Sequence, residues 1–253
     1  MAIKKAEADI GLHIEPLKQG RATIKLIGRT PLYFHAMSAK ARMSLTVGGG
    51  KKTAAEKKEI KHNPEEEYRD SVYSQGKGDT LLCFPAAGIK AAMATAALET
   101  AGVTKTSVQR LIFLPQDKVN VWGKPYLKMD VVRSADMART PDVRTRAFLP
   151  RWCAEVDIAF ITPTLSLHSV VSLLSNAGVI VGIGDYRQEK GRGGFGTFSV
   201  AGDDPGEFAD IWNDLMGEGR AVQQQAMDHP EMADDDTASL MAMVRGERMR
   251  RAA

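Results

Sequence analysis

Polar and apolar residues alternate along several stretches of the chain, and this period of two predicts half-buried β-strands. The clearest alternation covers residues 151–161, where Trp152, Val156 and Ile158 share one face. A second covers residues 22–28. Further strand candidates are residues 108–115 and 119–133, together with the short apolar runs 80–84 and 196–200.

Two segments instead show the spacing of three and four residues that is typical of a helix. Residues 86–102 place Ile89 and Met93 on one face and end at a glycine. Residues 165–178 place Val170 and Leu174 on one face and also end at a glycine. Their apolar faces predict two helices that pack against the sheet.

In chain order these elements form the βαββαβ arrangement of ferredoxin-like and RNA-recognition-like folds, so we predict an α+β protein. Residues 46–79 are nearly all charged and are predicted to be an insertion that supplies no core. Residues 134–150 are predicted to be an arginine-rich loop. The predicted organisation is an N-terminal arm over residues 1–20, the core over 21–202, and a C-terminal helix and acidic tail over 203–253.

Charge is unevenly distributed along the 253 residues, although the formal net charge is only +3. Residues 203–253 carry 12 acidic side chains and 5 arginines, so the remainder is basic. A basic surface attracts nucleic acid, although a solvated charged face explains the same composition. No apolar run reaches the roughly 20 residues of a membrane span, and the N-terminus lacks a signal-peptide pattern. We therefore expect a cytoplasmic protein without membrane contact.

Residues 178–198 combine seven glycines with positively charged and aromatic side chains. Because glycine lets a backbone approach a bulky ligand, this segment predicts a polyanion held by amides and positive charge. A flexible hairpin loop is the alternative. The segment lacks the spacing of a dinucleotide-binding fingerprint, and the chain contains no P-loop motif, so an enzyme that uses nucleotide phosphates is not favoured.

Five arginines fall between residues 133 and 151 with few acidic neighbours. Arginine favours bidentate phosphate contacts and stacking on bases, while a surface loop paired with local carboxylates is the alternative. The two cysteines, Cys83 and Cys153, lie in apolar contexts and are expected to be buried thiols. Since no histidines cluster with them, we expect no metal site, and we expect no cofactor.

The segment GIGDYRQEKGRGGFGTF, preceded by AEVDIAFI and a helix ending in NAG, resembles the signature of the RAMP superfamily of CRISPR-associated proteins. The resemblance is greatest to the subunits that polymerise along a guide RNA. It covers roughly residues 20–202, and Pro85 and Lys90 match a pattern at the first core helix.

This resemblance implies that residues 46–79 are a finger and residues 134–150 a thumb-like loop. It also implies a helical or filamentous homo-oligomer, with further protein subunits as candidate partners. Similar proteins are encoded by phages and mobile elements, which leaves RNA and DNA both open.

The predicted function is non-catalytic binding of single-stranded RNA or DNA, with copies assembled side by side. Positive side chains neutralise phosphates, aromatic rings stack on bases, and the glycine-rich backbone approaches the strand. The predicted contacts are Lys40, Arg42, Arg139, Arg144, Arg146, Tyr186, Arg187, Lys190, Arg192, Gly193 and Gly194, with Phe195 as a second candidate for stacking.

Two other classes of function stay open. A ribonuclease would use His35 or His168 for proton transfer, or a metal held by Asp70, Asp136 or Asp142. A protein-interaction module, such as an inhibitor that imitates or joins a CRISPR effector complex, would act through the acidic tail.

Overall fold

The computed structural model describes residues 16–47, 62–133, 140–190, 193–201 and 205–252. Within these residues the protein is mixed α+β, as predicted, with eight α-helices and two antiparallel sheets. The strands are β1 (Lys18–Gly28), β2 (Leu32–Tyr33), β3 (Cys83–Pro85), β4 (Ile112–Phe113), β5 (Lys118–Trp122), β6 (Tyr126–Arg133), β7 (Pro141–Leu149), β8 (Cys153–Thr162) and β9 (Phe198–Val200). The helices are α1 (Ala39–Val47), α2 (Pro64–Asp70), α3 (Ala86–Ala96), α4 (Lys105–Leu111), α5 (Leu167–Ile180), α6 (Pro205–Met216), α7 (Arg220–Asp228) and α8 (Asp235–Ala252). None of them is both long and apolar enough to cross a membrane.

The larger sheet has the order β3–β5–β8–β1–β9, and β4 pairs with β8 on the same side as β5. At its centre β1 and β8 pair over their length, with Leu26 opposite Ala154. The alternation predicted from the sequence is present, so Ile24, Val156 and Ile158 are buried in one core. Helices α3 and α5 pack against each other and supply the other side of this core.

Among the described residues, the opposite face of this sheet is covered only at one end. There Trp212 and Leu215 of α6 pack on Ile27, Trp122 and Cys153 in a second, smaller core. The rest of this face is polar along β1 and β8. Helix α6 therefore adds a third layer over part of the sheet.

The smaller sheet has the order β2–β7–β6, and β6 and β7 form a hairpin. The loop predicted over residues 134–150 is therefore wrong from Pro141 to Leu149, while residues 134–139 lie outside the described part. Thr145, Ala147 and Leu149 are buried on one face of β7, and Arg146 on the other face is buried as well. Arg144 and Arg146 hid this strand, because they made the segment look polar.

Helix α2 belongs to the core, although its residues were predicted to lie in an insertion that supplies none. Tyr68 is fully buried, and its hydroxyl lies 3.3 Å from the carbonyl oxygen of Pro125 and 3.2 Å from that of Ala226. Ser71 accepts a hydrogen bond from the amide of Ala147 at 2.8 Å. One aromatic ring in a charged sequence is thus enough to dock the helix, and the prediction that residues 46–79 supply no core is wrong from residue 62 onwards.

Helices α7 and α8 replace the acidic tail predicted for the C-terminal region. Met227 and Met241 join the main core, and Gln223 is fully buried beside them. The Gln223 amide bonds four backbone groups at 2.8 to 3.1 Å, namely the carbonyl oxygens of Val121 and Gly123 and the amides of Leu81 and Leu82. The many acidic residues concealed this role, because they occupy the exposed sides of buried helices.

We predict that Gln223→Ala lowers the free energy of unfolding by about 3 kcal/mol, because it leaves four buried backbone groups unpaired. The matched control Gln224→Ala removes an exposed side chain and is expected to change stability by less than about 0.5 kcal/mol. Urea denaturation followed by circular dichroism measures both. If both variants change the free energy of unfolding by the same small amount, the C-terminal helices are not part of the cooperative core.

Candidate functional site

The guanidinium of Arg146 joins three segments of the chain. It is 2% exposed, and its nitrogens lie 2.8 Å from Asp130 Oδ2 on β6 and 2.7 Å from Asp185 Oδ2 in the glycine-rich segment. Its Cζ lies 4.5 Å from the ring centre of Tyr33 on β2. The predicted contact of Arg146 with nucleic acid is wrong, because a buried and doubly paired guanidinium does not reach a phosphate.

The protonation states around Arg146 maintain this pairing. Burial alone raises the pKa of Asp185, but the charge of Arg146 and the amide of Tyr186 outweigh it and hold the pKa below its usual range. Burial and the negative charge of Asp130 raise the pKa of Tyr33. At pH 7 Asp185 is therefore ionised and Tyr33 is neutral.

The glycines of residues 178–198 allow the chain to pack tightly against itself. A Cβ on Gly193 would lie 1.6 Å from the carbonyl oxygen of Tyr186. A Cβ on Gly196, where φ is +69°, would lie 1.8 Å from the carbonyl oxygen of Ile183. No side chain fits at these distances, so glycine is required by the fold itself. Of the two predicted glycine contacts, Gly193 lies against the chain and Gly194 is exposed.

The side chains of this segment differ in what they offer a ligand. The Tyr186 ring is 43% exposed, whereas Phe195 packs edge-on against Tyr33 at 4.9 Å between ring centres. Arg187 lies 2.8 Å from Glu189 Oε2, so its charge is locally balanced. Tyr186 is therefore the better candidate for stacking. Among the predicted contacts, those outside the described part are Arg139, Arg192 and the side chains of Lys40 and Lys190.

A cleft of about 600 Å³ lies between the start of α1, α2 and β7. It collects residues that the sequence analysis had assigned to separate hypotheses: Arg144 as a nucleic-acid contact, and His35, Asp70 and Asp142 as ribonuclease candidates. Two more titratable residues line it, His62 and Glu67, which sequence reasoning missed. Their only signal is their proximity in a segment that was predicted to project away from the core.

His62 connects the two walls of the cleft. Its Nδ1 lies 3.0 Å from Glu67 Oε1 on α2, and its Nε2 lies 3.6 Å from Asp142 Oδ1 on β7. On the α2 wall, Asp70 Oδ2 accepts a hydrogen bond from the amide of Ala39 at 2.8 Å. This bond fixes the first residue of α1 at the rim of the cleft.

His35 lines the same cleft and is neutral at pH 7. Partial burial lowers its pKa, Asp185 opposes this effect, and the positive charges of Arg146 and Arg144 lower the pKa further. A neutral imidazole offers one donor and one acceptor nitrogen. The cleft therefore holds a histidine that can accept a proton at neutral pH.

Arg144 and α1 supply positive charge beside the cleft. Arg144 precedes Arg146 by two residues on β7 and so lies on the same face of the strand. It is half-buried and pairs with no carboxylate in the part of the chain that the structure describes. Arg42 is exposed on α1, which also carries Lys40, whose side chain is outside the described part.

The remaining ribonuclease candidates are not brought to the cleft. His168 is exposed in the first turn of α5 and does not line it, and Asp136 lies outside the described residues. Cys83 and Cys153 are buried free thiols, as the sequence indicated. Within the described ranges no group of three or more histidine, cysteine, aspartate or glutamate side chains is placed to hold a metal ion.

Comparison with known proteins adds no relative: no protein-family model matches the chain, and no curated protein matches it. The functional interpretation therefore depends on the geometry of the described residues.

We predict that Arg146→Met lowers the free energy of unfolding by about 3 kcal/mol, because it leaves Asp130 and Asp185 without their partner. The control Arg144→Gln, at the next position on the same strand face, is expected to cost less than about 1 kcal/mol. Thermal and urea denaturation measure both variants. Similar stability of the two variants would mean that the buried guanidinium does not hold the three segments together.

Proposed function

We propose that this protein binds single-stranded RNA or DNA without cleaving it, and that copies assemble side by side along the strand. We also propose a ferredoxin-like, RNA-recognition-like core related to the RAMP superfamily. The order of the strands supports this core. Strands β1 and β8 are the first strands of the two βαβ units and are neighbours at the centre of the sheet. Strands β5 and β9 are the last strands of these units and lie on either side of that central pair. The helices of both units, α3 and α5, pack together on one face.

The open face of the larger sheet is not the proposed binding surface. RNA-recognition domains stack bases on aromatic residues of this face. Here the central strands β1 and β8 present polar residues such as Thr23 and Asp157, which hydrogen-bond each other at 2.6 Å. Trp122 of β5 is 4% exposed and is covered by Trp212 of α6.

We place the strand along α1, Arg144 and Tyr186 instead. The observation that carries this proposal is that Arg144, which pairs with no carboxylate among the described residues, and the exposed ring of Tyr186 both lie near one buried guanidinium. The Tyr186 ring centre lies 6.0 Å from Cζ of Arg146, and Arg144 is the next residue on the same face of β7. Groove charge combined with a stacking ring is the usual means of sequence-tolerant binding, with stacking worth about 1–3 kcal/mol per base.

Assembly of copies is supported by the exposure of α1. Its apolar side chains Met43, Leu45 and Val47 are 68%, 75% and 75% exposed. A nine-residue helix without a buried face is marginal in water, so its stability calls for a covering surface. We propose that a neighbouring copy supplies that surface, and that its acidic C-terminal region complements the positive charge of α1.

We predict that Arg144→Gln weakens binding of a fluorescent single-stranded oligonucleotide roughly tenfold and reduces the slope of log Kd against log salt by about 1, because one phosphate contact is lost. Fluorescence anisotropy at several salt concentrations measures both quantities, with parallel RNA and DNA strands. The control Arg110→Gln removes an exposed arginine on α4, outside the cleft, and is expected to leave both quantities unchanged.

Unchanged affinity and salt slope in Arg144→Gln would contradict the proposed path of the strand. Arg146 is unsuitable for this test, because its replacement disturbs the fold. Nucleic acid that co-purifies with the protein is typed with RNase and DNase, and electron microscopy of the same sample shows whether copies form a filament.

A metal-independent ribonuclease is the second candidate, and one observation favours it. His35 and His62 line one cleft with Arg144, and Glu67 orients the His62 ring through Nδ1. A neutral histidine as base, an oriented histidine as acid and an arginine for the phosphate are sufficient for general acid–base cleavage of RNA. The interaction-module alternative has less support, because its predicted acidic tail is part of the core.

Incubation of labelled RNA with the protein and EDTA separates the two candidates. The binding proposal predicts a shifted but intact RNA, and any cleavage that persists with EDTA supports the second candidate. In that case His35→Asn and His62→Asn are each expected to slow cleavage at least about 100-fold. The exposed His168→Asn is the matched control and is expected to retain the wild-type rate.

A further inference from the structure

We propose that the cleft holds one guanine base of the bound strand, with its hydrogen-bond donors on Glu67 and Asp70 and the adjoining phosphate on Arg144. This inference rests on the proposed function and adds a base preference to it. It assigns a role to carboxylates that a purely phosphate-binding surface does not explain.

One wall of the cleft consists of acceptor oxygens. Glu67 and Asp70 are three residues apart on α2 and therefore lie on neighbouring positions of one helix face. Glu67 Oε1 is occupied by His62, and Asp70 Oδ2 by the amide of Ala39. The second oxygen of each carboxylate has no hydrogen-bond partner among the described residues. Two acceptors thus remain for a ligand.

The facing wall adds a positive charge and another polar group. Arg144 lines this wall from β7. Next to it Thr145 is 5% exposed, and its hydroxyl has no hydrogen-bond partner within the described part of the chain. A buried hydroxyl without a partner is uncommon in a folded protein and calls for an explanation, of which a bound group is one. Asp142 also lines this wall, but it lies 3.6 Å from His62 Nε2, so Arg144 is the group that offers positive charge to a ligand. The ligand is therefore expected to carry donors at one end and negative charge at the other.

The size and the apolar lining of the cleft suit a base. Its volume of about 600 Å³ falls within the roughly 300–1,000 Å³ of small-ligand sites. Met37, Tyr73 and Val143 line it between the charged groups and offer apolar contact to the faces of a planar ring.

Guanine matches this arrangement better than the other bases. Its Watson–Crick edge carries adjacent N1–H and N2–H donors, which complement a pair of carboxylate oxygens. The other bases present at most one donor group beside an acceptor on that edge. An arginine or lysine of a protein partner would satisfy the carboxylates but would be repelled by Arg144, so the nucleotide is favoured.

The test compares three fluorescent oligouridylate strands that differ at one central position, which is guanine, inosine or uracil. Inosine lacks the N2 amino group and keeps the rest of the purine. We expect the guanine strand to bind about tenfold more tightly than the other two in anisotropy titrations. If the co-purified nucleic acid is DNA, the corresponding deoxy strands are used.

The variant Asp70→Asn keeps a carbonyl oxygen for the amide of Ala39 but replaces the second acceptor with a donor. We expect it to abolish the preference for guanine, so that the guanine and inosine strands bind equally well. The control Glu66→Gln removes one negative charge from α2 at an exposed position that does not line the cleft. It is expected to retain the full preference.

Equal binding of the three strands by the wild-type protein overturns the guanine site and leaves strand binding standing. A preference that survives in Asp70→Asn also overturns it. Absence of binding to every strand overturns the proposed function itself, and with it this inference.

Discussion

The buried guanidinium of Arg146 is the interaction on which the rest of the site depends. Strand β7 brings it to a point where β2, β6 and the glycine-rich segment converge, and each of the three provides a group that contacts it. A charge with 2% exposure is tolerated only when it is paired, so the three segments hold one another in register. Everything that could face a ligand nearby, including Tyr186, His35 and Arg144, is positioned relative to this group.

In this arrangement, the residues that stabilise the fold differ from those that could contact a ligand. Arg146 and the close-packed glycines hold the surface in shape, whereas Arg144, Tyr186 and the cleft residues are the groups that a ligand could contact. The same distinction explains why a glycine-rich segment beside a basic one does not amount to a phosphate cradle. Its amides are largely occupied by the chain, as in the bond from the Gly196 amide to the carbonyl oxygen of Pro31 at 2.8 Å.

The regular part of the fold was predictable because its periods are short and local. Strand β8 alternates Val156 and Ile158 with Glu155 and Asp157, and such a pattern needs no knowledge of distant residues. The misread segments lack that advantage. Tyr68 docks α2 with one ring. Gln223 is buried because carbonyl groups 100 and 102 residues earlier, and amides 141 and 142 residues earlier, form hydrogen bonds with it.

The cleft could not be predicted from the sequence either, because its residues are distant from one another in the chain. Its walls come from three segments, represented by His35, Glu67 and Arg144, whose proximity is set entirely by tertiary packing. Each residue type had an ordinary explanation where it stood in the sequence. Only the combination of a histidine, a helix carboxylate and an arginine around one space has chemical meaning, and a linear reading does not show that combination.

The carboxylate of Asp70 has a consequence for cooperativity. One of its oxygens holds the first amide of α1, and the residue also lines the cleft. A ligand that contacts Asp70 in the cleft therefore affects the residue that anchors α1. By thermodynamic linkage, a surface that docks on α1 and a ligand in the cleft alter each other's affinity by the same factor. Loading of the strand and growth of an assembly would then be coupled through a single side chain.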